Sequence, residues 1–160
     1  MQGQADKLTM KKLKRDTDLT KVTRFNQHGR MESRVEDNIL FNEATGPFNA
    51  EIISAIKLIQ NDLLQIISTK DKWAQIYVFH YSVLCSPDTI EALTAYLTDL
   101  RGKLKKPLAT AFVMGMAVEG RAMMAPHYRH VYELAQLNFQ LFSTLEEAQT
   151  WVQAALDQTD

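Results

Sequence analysis

Hydrophobic positions along the chain fall into two kinds of pattern, short extended runs and longer stretches stepping by three and four. Gln27 to Glu36 and Ile39 to Thr45 read as two strands, with Asp37-Asn38 as the tight turn between them. Gly46-Pro47 breaks the extended chain, and Phe48-Asn49 opens a helix. Asn49 is a suitable N-cap, Glu51 places a carboxylate in the first turn, and Phe48 can staple onto Ile53. Ile52, Ile56, Ile59, Leu63 and Ile66 then trace one broad apolar face. Ala74 to Tyr81 is apolar on both faces, as a doubly covered central strand requires.

Ser86-Pro87-Asp88 supplies an N-cap, a proline at N1 and an early acid, so a second helix starts there. It carries Ile90, Leu93, Leu97 and Leu100 and stops at Gly102. A basic loop, Lys103 to Lys106, leads through Pro107 to a second buried run, Leu108 to Met116. After a loop at Val118 to Met123, a third helix is predicted over about Ala125 to Leu137, with Pro126 in its first turn and Asn138 at its end. Phe139 to Phe142 reads as a short strand. Ser143 with Glu146 reads as a capping box for a last helix that buries Leu145, Ala148, Val152, Ala155 and Leu156. Strands alternating with helices, the inner strands apolar on both sides, predict an α/β domain whose central strands are parallel.

Composition narrows the picture further. The 160 residues suit one domain, and 46% apolar with 23% charged residues is globular rather than disordered. No apolar run reaches the roughly 20 residues of a membrane-spanning helix, and the polar start lacks the apolar core of a secretory signal; a cytoplasmic location is expected. The single cysteine, Cys85, excludes an internal disulfide framework. Residues 1–24 hold seven bases and three acids, whereas the remainder holds eleven and sixteen. The expectation is a basic, flexible arm over 1–24 and one domain over 25–160. Without a basic stripe carrying interleaved aromatics, nucleic-acid binding is disfavoured.

Three stretches carry a family likeness: His28-Gly29-Arg30 followed by the hairpin and Gly46-Pro47-Phe48-Asn49-Ala50-Glu51; the strand Ile76 to His80 running into a capped helix; and Phe139 to Phe142 followed by Ser143-Thr144-Leu145-Glu146-Glu147-Ala148 and Trp151-Val152. In order and spacing, residues 25–156 resemble the SpoIIAA-like family, a STAS-type group related to anti-sigma-factor antagonists and to lipid-exchange domains of the CRAL-TRIO kind. The resemblance implies a βα superhelix with a mixed sheet of about five strands and four helices. Anti-sigma-factor antagonists carry a phosphoacceptor serine in an Asp-Ser-x-Gly turn after the central strand. The corresponding segment here, Ser82 to Asp88, has serines but neither that aspartate nor the glycine. Ser82, Cys85, Ser86 and Asp88 are therefore read as a regulatory loop, with Ser86 also explained as an N-cap.

No nucleotide-binding glycine loop, G-x-S-x-G elbow or HExxH is present, so no catalytic residues, metal or cofactor are assigned. His127 and His130 share a helical face but lack further ligands. His80 and Cys85 bracket the end of the central strand, where sheets of this class bind ligands, yet no oxyanion donors or acidic orienter accompany the thiol. Four of the seven methionines, Met114, Met116, Met123 and Met124, fall close together. The expected function is a non-enzymatic interaction domain docking a protein, or a second copy of itself, through Ser82 to Asp88 and Val118 to Met124. The alternative is a binder of a lipid or other apolar molecule. Its groove would be lined by Met114, Met116, Met123, Met124, Tyr128 and Tyr132, with Arg121 or Arg129 meeting an anionic head.

Overall fold

A computed structural model describes residues 13–19 and 26–158. The described chain is an α/β domain built on one six-stranded mixed sheet with strands in sequence order. The elements are β1 (Arg15–Asp16), a 3-10 turn (Thr17–Leu19), β2 (Arg30–Glu36), β3 (Ile39–Thr45), α1 (Ala50–Ile67), β4 (Ala74–His80), α2 (Pro87–Arg101), β5 (Thr110–Met114), α3 (Arg121–Leu134), β6 (Phe139–Phe142) and α4 (Leu145–Asp157). β1, β2 and β3 pair antiparallel, and β3 through β6 pair parallel. Side-chain alternation along the strands divides the core. Tyr77, Phe79, Phe112 and Met114 pack beneath α2 and α3 with Tyr128, Val131 and Tyr132. Phe41, Ile76, Val78, Ala111 and Val113 face the other way onto Ala148 and Val152 of α4. Both faces of the central strands are covered, and this is why their sequence reads as an unbroken apolar run.

Several local expectations shift by a few residues for identifiable reasons. Part of the expected arm is sheet: β1 pairs with β2, and the buried Thr17 hydroxyl accepts from Met31 N–H at 2.9 Å. Asp16 and Arg30 form a close ion pair beside it. Asn49 stands at the N-cap of α1 but its side chain does not cap; its Oδ1 accepts from His28 N–H at 2.8 Å and its amide donates to Asn26 O at 3.1 Å. β4 ends at His80, one residue short of the apolar run, because Tyr81 turns the chain. α3 begins at Arg121 behind Gly120, so Pro126 lies in its second turn, and it ends at Leu134 with Ala135 as C-cap and Gln136 at a positive φ. The last capping box lies one residue later than expected, between Thr144 and Glu147 rather than Ser143 and Glu146. Ser86 caps α2 as its sequence implies, accepting from Thr89 N–H.

A buried polar chain crosses the interface between α1 and the sheet. Ser33 donates to Asn42 Oδ1 at 2.6 Å, and Gln60 donates to the same oxygen at 3.1 Å. Asn42 donates to Ile76 O, and Tyr96 of α2 donates to Gln60 Oε1 at 2.9 Å. Gln75, Thr110 and Tyr77 extend the network toward β5. Polar groups taken out of water at this depth are tolerable only when paired. Among the described residues every buried side-chain nitrogen and oxygen has a partner.

Candidate functional site

The parallel strands β3 to β6 deliver their C-terminal ends to one edge, where α/β sheets place their binding loops. Three loops are tied together there by backbone bonds that prolong the sheet. Phe48 N–H donates to Leu84 O at 2.9 Å, Val83 N–H donates to Glu119 O at 2.9 Å, and Glu119 N–H donates to Tyr81 O at 2.9 Å. The Ser82 hydroxyl donates to Glu119 Oε1 at 3.1 Å and accepts from Leu84 N–H at 3.1 Å. Tyr128 of α3 donates to Val83 O at 2.8 Å, pinning the loop from below. Gly46 approaches so closely that a Cβ there would lie 2.1 Å from Ser82 O. The edge is a rigid platform.

Tyr81 is its most unusual residue. Its φ is 67°, and Ser82 N–H donates across it to His80 O at 2.8 Å, closing a one-residue turn of the strained γ type. The side chain is 83% exposed despite its aromatic ring. Met116 at 77% and Met123 at 67% are exposed at the same edge, on the loop after β5 and the first turn of α3. Arg121 fixes Met116 by donating to its sulfur at 3.0 Å, while its other terminal nitrogen donates to Ser143 Oγ at 2.9 Å. The platform thus presents an aromatic ring and two thioethers on braced backbone.

The methionine group is divided by this geometry. Met114 and Met124 are buried in the core with Tyr128 and Tyr132, whereas Met116 and Met123 are exposed. Tyr128 and Tyr132 border an apolar cavity with Phe48, Ile53, Phe79, Leu93 and Met31 of β2. In the loop from Ser82 to Asp88, Ser82 is buried and engaged, Cys85 is half-buried, and Ser86 and Asp88 are exposed. Burial pushes the Cys85 thiol above its ordinary value, away from thiolate character. His80 is exposed, 3.4 Å from Glu43. His127, Arg129 and His130 are exposed on α3, and among the described residues no three His, Cys, Asp or Glu side chains converge as a metal set would.

The apolar run from Ala74 predicts Tyr81 inside a buried strand, whereas the strand ends at His80 and Tyr81 is exposed. Its one accessible signal was position, as the last aromatic of the apolar run immediately before a serine-rich loop. Among the described residues no helix is long and apolar enough to cross a membrane. No protein-family model matches the chain, and a search of curated proteins found no match either.

Proposed function

We propose that this chain is a non-enzymatic interaction domain of SpoIIAA-like type that docks a protein partner through the C-terminal edge of its sheet. The mixed sheet with four helices agrees with the fold that the family resemblance implies. The observation that carries the proposal is Tyr81, an exposed aromatic held on strained backbone beside exposed Met116 and Met123. Strain of this kind costs free energy and persists where the surrounding structure enforces it, commonly at binding sites. Tyrosine and methionine are enriched at the centres of protein interfaces, and tyrosine buries a large ring at modest entropic cost. Ser86 stands exposed beside the platform, so a phosphate added there would place negative charge at the rim of the interface.

The test compares the wild-type chain with a Tyr81→Ser, Met116→Ser, Met123→Ser variant, both immobilised in extract of the source cells. The expected result is one stoichiometric protein retained by the wild type and lost from a variant of unchanged circular dichroism. Equal retention by both overturns the assignment. Sedimentation of the purified chain shows separately whether the partner is a second copy.

A further inference from the structure

The helix α2 is held differently from its neighbours, resting chiefly on α1 and α3 rather than on the strands. Two cavities lie beneath it. One, of about 60 Å³, lies under its first half and is almost wholly apolar, walled by Phe48, Ile53, Phe79, Leu93 and Phe112. The other, of about 50 Å³, lies under its second half and is bordered by Gln60, Gln75, Arg101, Lys105 and Lys106. Tyr77, Tyr96 and Leu97 line both and form the partition between them. Along α2 the lining therefore changes from hydrocarbon, through the tyrosine and glutamine groups of the buried network, to a cationic mouth.

That mouth is not neutralised. Arg101 donates to Leu134 O at 3.4 Å and Lys105 donates to the main-chain oxygens of Lys70 and Asp71. Among the described residues no carboxylate lies within ion-pair distance of Arg101, Lys105 or Lys106, whereas neighbouring Lys103 is paired with Asp99 at 3.0 Å. Three cations without a carboxylate partner among the described residues, beside a cavity that only the Tyr77, Tyr96 and Leu97 partition divides from an apolar one, suit one ligand chemistry, an anionic head on a narrow apolar tail.

Volume limits the tail. Each cavity exceeds the roughly 10–15 Å³ that a water needs and falls well below the 150 Å³ of an engineered cavity that admits benzene. A diacyl lipid is too large. An unbranched chain of a few carbons is slim enough once the partition gives way, and two of the three partition residues belong to α2, which has the fewest ties to the sheet.

We propose that the space beneath α2 binds a short-chain aliphatic carboxylate or alkyl phosphate. The head lies at Arg101, Lys105 and Lys106, and the tail runs past Tyr96 and Leu97 toward Phe48. This site is separate from the docking edge and does not depend on the Tyr81 surface. Calorimetric and amide-NMR titrations of the full chain with sodium hexanoate test it, with hexylammonium chloride and 1-hexanol as probes of equal tail length. Hexanoate is expected to saturate one site and shift the amides of residues 93–106, with hexylammonium weaker by about tenfold or more. A Lys105→Glu, Lys106→Glu variant, altered only at exposed positions, is expected to weaken hexanoate by a similar factor and to leave 1-hexanol unchanged. Absence of saturable hexanoate binding, equal binding of hexanoate and hexylammonium, or indifference to the charge reversal would each overturn the proposal.

Discussion

Replacing Tyr81 by glycine is expected to make the protein more stable. Tyr81 occupies φ 67° in a one-residue turn, and its ring is 83% exposed, so little buried area is lost with the side chain. An L-residue in the left-handed region costs roughly 1–2 kcal/mol. Glycine relieves that strain but surrenders about 0.5–1 kcal/mol of extra chain entropy on folding. The difference is a net gain of about 0.5–1 kcal/mol. For a domain of this size each kcal/mol moves Tm by about 3–4 °C, so a rise of roughly 2–4 °C is expected by calorimetry. The urea midpoint is expected to rise with an unchanged slope. Gln136→Gly is the internal control, because Gln136 has φ 56° and is exposed in the turn after α3, remote from the docking edge. Both variants gain stability, and only Tyr81→Gly loses partner binding, a trade of stability for function. A fall in Tm for Tyr81→Gly alongside a rise for Gln136→Gly would refute the reasoning, because the ring would then contribute more than the backbone strain costs.

Further outcomes follow from the packing and from the charges. Gln60→Leu removes the acceptor of the Tyr96 hydroxyl and a donor to Asn42, and chemical denaturation is expected to show a loss of roughly 1–3 kcal/mol. Adding Tyr96→Phe to Gln60→Leu should cost less than Tyr96→Phe alone, since the two groups share one bond. The Arg30 guanidinium, hydrogen-bonded to Asp16, holds that carboxyl below its ordinary 3.8, so its stabilisation is present above that value and is lost as pH falls through the lower folded one. Asp16→Asn should accordingly be less stable than the wild type in urea at pH 7, with the gap closing below about pH 4. Gly46→Ala drives a Cβ against the Ser82 carbonyl and should cost about 1–3 kcal/mol. At Gly102, by contrast, φ is −79° and an added Cβ would meet Asp99 O at an ordinary 3.7 Å, so Gly102→Ala should raise the melting temperature slightly.

Much of the fold was legible because its determinants are local. Ile39–Thr45 and Phe139–Phe142 have the predicted bounds, and Ser86-Pro87 starts α2 where a cap and an N1 proline require it. The start of α3 was misread because Gly120 stands at the N-cap with no polar side chain to announce it. Asn49 was read as a cap, but once His28 is folded nearby its amide has better partners in the preceding segment. The methionines were read as one group from their closeness in sequence. In the structure Met114 on β5 and Met124 on α3 are buried, whereas Met116 on the loop after β5 and Met123 in the first turn of α3 are exposed.

From the sequence alone came the alternation of strands and helices, the doubly covered central strands and the serine cap, since periodicity and capping act over a few residues. Tertiary structure decided that Tyr81 faces solvent, because its γ-turn is enforced by Glu119, 38 residues away along the chain. It also decided that Ser33, Asn42, Gln60 and Tyr96 share one buried network, and that Arg101, Lys105 and Lys106 border a small cavity under α2. Each of these depends on which distant segments meet, and a one-dimensional pattern of apolar and polar residues does not specify that pairing.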